Sequence, residues 1–132
     1  MRRVLQPLVI VLTIGGFPSA GCRPAARADD VTVDLKMTPP APAVGVETLV
    51  EMTLLDRSHR PIRGASVRVE AHMPHPGMAP IIVAAREAQP GLYAARLSFS
   101  MNGVWTMFVT GDLADGRSIR YRTADAAVRP SS

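Results

Sequence analysis

From Val31 onward, apolar side chains recur at every second residue, and this alternation constrains the fold more than any other feature of the chain. Val31, Val33, Leu35 and Met37 alternate with Thr32, Asp34 and Lys36. Val50, Met52 and Leu54 alternate with Glu51 and Thr53, and Val67, Val69 and Ala71 with Ser66, Arg68 and Glu70. Period two puts successive side chains on opposite faces of an extended strand, so each run has one apolar face to bury. The segment 81–85 is a short apolar run. Residues 92–99 place Tyr93, Ala95, Leu97 and Phe99 together, and 104–110 place Trp105, Met107 and Val109 together. Ile119 and Tyr121 mark a last strand. Turn signals separate the runs: Pro39-Pro40, Pro90-Gly91, Met101-Asn102-Gly103 and the hairpin pair Asp115-Gly116. No helical stripe competes, and twelve prolines and ten glycines in 132 residues argue against long helices. The expectation is an all-β protein: an immunoglobulin-like antiparallel β-sandwich of about seven strands over residues 31–123. Trp105, Val69, Leu97 and Met52 should meet between the sheets. Residues 124–132 read as a flexible tail.

The amino end reads as a targeting segment. Met1-Arg2-Arg3 is basic, and the mostly apolar stretch 4–14 is shorter than the ~20 residues that span a bilayer. It fits a secretory signal. Ser19-Ala20-Gly21-Cys22 resembles the lipobox of bacterial lipoproteins, in which the cysteine becomes residue one and carries lipid; Ser19 stands where leucine is usual. Ala26-Arg27-Ala28 before Asp29 offers a rival, ordinary cleavage site. Cys22 is the chain's only cysteine, so it makes no intrachain disulfide. The expected organisation is a lipoprotein-type signal peptide over 1–21, a tether over 22–30, and a lipid anchor at Cys22. The domain then faces the periplasm or cell envelope, held to a membrane.

The formal charge is +4, nearer +2 once Arg2 and Arg3 leave with the signal. Arg57, Arg68, Arg86 and Arg96 are scattered singly, with no patch that would track a phosphate backbone, so nucleic acid is not an expected partner. Catalysis is not expected either. A hydrolase needs a nucleophile, a base and an orienting acid at one place. Ser66, Ser98 and Ser100 with His72 or His75 sit in no such motif. Glu47 and Glu51, and likewise Glu70 and Arg68, read as outward strand charges on a solvated face.

One stretch carries chemistry: His72-Met73-Pro74-His75-Pro76-Gly77-Met78. It holds two of the three histidines and two of the seven methionines. Imidazole and thioether together suit Cu(I), and imidazole alone suits Cu(II). Zinc prefers thiolate, imidazole and carboxylate, and the loop offers no carboxylate. Proline and glycine exclude a ladder or a helix, so the stretch is a loop. If the preceding strand runs on, His72 points outward and Met73 inward. His72, His75 and Met78 are the first candidate ligands. Met73 and Met101 are further ones, Met101 only if its turn sits beside the loop. The competing reading is an ordinary loop, since methionine is a common core filler. His59 reads as a surface residue.

Pro61-Ile62-Arg63-Gly64-Ala65-Ser66-Val67, the Met/His/Pro loop, Pro90-Gly91-Leu92-Tyr93 and Gly103-Val104-Trp105 together resemble the YtkA-like domains. These are small exported bacterial β-sandwiches related to the FixH proteins found beside cytochrome oxidase and cation-pump genes. The resemblance covers about residues 31–123. The family loop typically reads Met-Pro-x-Met; this chain keeps Met73-Pro74 and follows it with His75 and Met78. The resemblance implies a β-sandwich that binds or delivers copper for oxidase assembly or metal homeostasis, with a membrane oxidase or cation pump as partner. The alternative is a metal-free module that docks onto such a complex.

Overall fold

A computed structural model describes residues 30–132. The expected signal peptide, its alternative cleavage site and Cys22 lie outside the described residues. The described chain forms β1 (Val31–Thr38), β2 (Glu47–Asp56), β3 (Ser66–His72), β4 (Ile81–Ala84), β5 (Arg86–Gln89), β6 (Leu92–Ser98), β7 (Gly103–Asp112), β8 (Ser118–Arg122) and β9 (Ala126–Val128). One sheet runs β1-β2-β6-β5, the other β4-β3-β7-β8, with β9 against β7. All of these strand pairings are antiparallel. The fold is the two-sheet antiparallel β-sandwich that the alternation implies.

The inward parity is the one read from the sequence. Met52, Leu54, Val69, Trp105, Met107 and Val109 are fully buried, and Leu97 nearly so. Phe99 and Trp105 pack ring to ring, with centroids 5.4 Å apart and planes at 59°. Aromatic side chains bury the most area per residue and dominate such a core.

The strand count exceeds the expected seven for two physical reasons. The run 81–85 forms one short strand, β4, as expected, but the chain changes sheet at Ala85 and adds a further strand, β5. Ala84 closes β4 against β3, the Ala85 N–H donates to Val67 O at 2.8 Å, and β5 then pairs with β6 in the other sheet. β5 is exposed along its whole length and so carries no apolar alternation. The second reason corrects the reading of 124–132 as a flexible tail. β9 pairs Ala126 with Trp105 and Val128 with Gly103, burying Ala126 and Val128. Arg129 extends the tie, donating from N to Pro42 O and accepting from Val44 N. Three residues are too few for a period to be legible. Tyr121 shares the parity of Ile119 yet stays 36% exposed, because β8 is a sheet edge.

Candidate functional site

β3 ends at His72 because Pro74 has no N–H to continue the ladder. The chain then folds on itself. His75 N donates to Met73 O at 2.8 Å, and Met78 N donates to His75 O at 3.2 Å. Gly77, at φ +82°, supplies the left-handed residue this turn requires. Met73 and Met78 are half-buried and pack against the core, while His75 is exposed.

The neighbouring β6–β7 turn is held from two sides. Trp105 Nε1 donates to Met101 O at 3.0 Å, tying the turn to the buried indole. Met73 Cε lies 3.1 Å from where a Cβ on Gly103 would sit, so the bare α-carbon of Gly103 makes room for the methionine methyl. The Met101–Gly103 turn therefore does sit beside the loop, as a ligand role for Met101 requires. The Met101 side chain itself is 37% exposed.

His72 is placed differently. It leaves β3 on the outer face of the sheet, where Nε2 meets Glu70 Oε2 at 3.1 Å and the ring stands edge-on to Phe108, centroids 5.4 Å apart. Glu70 is not the solvated strand charge its position suggests. Its side chain is 14% exposed and also accepts from Thr110 Oγ1 at 3.0 Å and Arg120 Nη1 at 3.1 Å. Burial pushes its carboxyl up, but the hydrogen bonds from His72, Thr110 and Arg120 outweigh this and hold it below its ordinary value. The Arg120 guanidinium in turn lies 4.2 Å over the Phe108 ring. The candidate ligands thus divide: Met73, His75, Met78 and the Met101 turn share the loop end, while His72 is engaged by carboxylate on the sheet face.

Among the described residues, no group of three or more His, Cys, Asp or Glu side chains converges as a metal site. The loop's donors are thioether and imidazole, a set that fits a soft ion and not a hard one. His75 Nδ1 lies 3.1 Å from Pro76 O. Among the described residues, neither His72 nor His75 is hydrogen-bonded to a serine hydroxyl. His59 stands in the β2–β3 loop at φ 57°.

A polar clamp that the sequence did not signal lies elsewhere. Tyr93 OH donates to Ile62 O at 2.9 Å and accepts from Ala65 N at 3.0 Å. Gly64 N donates to Glu87 Oε2 at 2.8 Å. Gly91, at φ +75°, lies so close to Pro61 that a Cβ there would fall 2.5 Å from the proline Cβ. The segments 61–65 and 90–93 are therefore one unit that fastens the β2–β3 connection, and they serve the fold. Burial, with help from Glu87, pushes the Tyr93 hydroxyl up to about 12.

A family model described as YtkA-like matches residues 25–110, which span the loop, the clamp and most of β7. No curated protein matches the chain. Among solved structures, the crystal structure of an engineered protein at 1.98 Å is similar, with 16% identity and a TM-score of 0.46, over 76% of this chain and 20% of that one. The chain thus spans about a fifth of that protein's length.

Proposed function

The chain belongs to the YtkA-like family, and from that premise we propose that it is an extracytoplasmic binding module, tethered to a membrane through lipid on Cys22, that holds copper at the loop after β3. The observation that carries this reading is the contact of Met73 with Gly103, which sets the Met101 turn beside the loop holding His75 and Met78. Three candidate thioethers and one imidazole belong to segments at one end of the sandwich. Copper, when bound, would supply a transferable soft cation. Met73, His75 and Met78 would hold it, with Met101 as a further thioether from the adjacent turn. The exposed His75 and Met101 would leave the ion within reach of a partner such as a membrane oxidase or cation pump. His72, engaged by Glu70, is an outlying candidate that would have to leave its carboxylate to join. The module binds and does not catalyse.

The prolines limit the loop's freedom before metal arrives, which reduces the ordering cost that binding must offset. Competition for Cu(I) against a chelator tests the reading: retention by the wild type that is lost on deleting the loop donors supports it. A metal-free docking module is the second reading. It is favoured by Ile82 and Val104, which are 54% and 56% exposed on the outer face of the β4-β3-β7-β8 sheet. Failure to retain copper selects it.

A further inference from the structure

β6 is paired with β2 along its whole length, from Thr53 opposite Leu92 to Glu47 opposite Ser98. Its other side is covered over only part of that length. β5 pairs with Leu92, Tyr93 and Ala94 and goes no further, because the chain crosses to the other sheet at Ala85. Among the described residues, Ala95–Ser98 therefore present a strand edge that no strand pairs with on one side. An open groove of about 450 Å³ meets this edge at Ala95 and Arg96, lined from β4, β5 and β6 and reaching Leu49 of β2. Ala84, Ala88, Ala94 and Ala95 line it, small side chains that leave space beside the backbone, and Arg86 and Arg96 border it.

We propose that this edge is a binding site for an extended acidic peptide segment of a partner protein, which adds as a strand beside Ala95–Ser98 where β5 stops. Main-chain groups left open on a sheet edge are a template for a further strand. The charge of the border selects the occupant. Arg86 makes no ion pair with another described residue. Among the described residues Arg96 reaches only Glu47, at 2.7 Å, in a pair whose side chains are 64% and 62% exposed and so readily exchanged. A carboxylate on the incoming strand meets both guanidinium groups, whereas a lysine there is repelled. The alanine lining accepts apolar residues at the alternate positions. This site is independent of the copper loop.

The test is a titration of the ¹⁵N-labelled protein with a short synthetic peptide alternating valine and glutamate, beside its valine–lysine counterpart. The proposal expects amide shifts confined to Ala95–Ser98 and their flank at Ala84–Arg86, produced by the acidic peptide alone. The exposed double variant Arg86→Glu/Arg96→Glu should lower affinity for the acidic peptide by about tenfold or more and confer binding of the lysine peptide. Three results overturn the proposal: no shift with either peptide, equal binding of both, or shifts centred on another strand edge. Concentration-dependent protection of Ala95–Ser98 without peptide also overturns it, since the occupant is then a second copy of the chain.

Discussion

The terminal methyl of Met73 fills the space that a side chain at Gly103 would need, 3.1 Å from the position of its Cβ. The loop after β3 and the turn before β7 are thus fitted to each other through one methionine and one glycine. Two substitutions separate packing from ligation at this contact. Gly103→Ala meets both the methyl and an unfavourable φ of +128°, and should destabilise the fold by more than ~1 kcal/mol in urea unfolding. Met73→Leu keeps the apolar volume and removes only the sulfur. It should cost less than about 1.5 kcal/mol and should still weaken Cu(I) retention. Undiminished retention in Met73→Leu would remove Met73 from the ligand set.

Tyr93 is 1% exposed, and its hydroxyl serves both Ile62 and Ala65. Tyr93→Phe leaves those groups without their partner and should cost about 1–3 kcal/mol. The hydroxyl also sets a pH dependence. Its folded value, about 12, lies above the ordinary 10.0. The neutral form is favoured in the fold, so its contribution is complete below pH 10 and is lost as pH rises toward 12. Urea midpoints measured across that window should fall for the wild type and fall less steeply for Tyr93→Phe. Parallel slopes would contradict the assignment.

The sandwich was legible because its interior strands repeat with period two for long enough to read, as in β2 and β7. β5 and β9 were not, because one is exposed throughout and the other is three residues long. The parity of β3 correctly separated His72 from Met73. It did not show that Glu70 would gather His72, Thr110 and Arg120, since those partners lie on β3, β7 and β8 and meet only through sheet register. The meeting of Met73 with the Met101–Gly103 turn was likewise a long-range fact. Spacing in sequence named the two segments and could not join them.

Glu70 gives the outer sheet face an acid-side dependence. Its folded value lies below the ordinary 4.5, so the stability it contributes is present above pH 4.5 and is lost as pH falls through the lower folded value. Glu70→Gln should flatten the acid limb of a plot of urea midpoint against pH. An unchanged acid limb would show that other carboxylates carry it.

The proposed anchor is tested by fractionation. The protein should partition with membranes, and Cys22→Ser should release it or leave it unprocessed. A mature amino terminus at Asp29 would replace the anchored module with one free in its compartment.

The measurement that bears most directly on the central claim is Cu(I) retention by the purified protein against a competing chelator. Wild type is compared with the double variant His75→Ala/Met78→Leu, which removes an imidazole and a sulfur while keeping the apolar volume at 78. Apo stability should differ by no more than about 1.5 kcal/mol. Wild type should hold one copper per chain, the double variant should lose it, and His59→Ala should hold it as wild type does. Equal retention by wild type and the double variant, or none by wild type, would contradict the copper site.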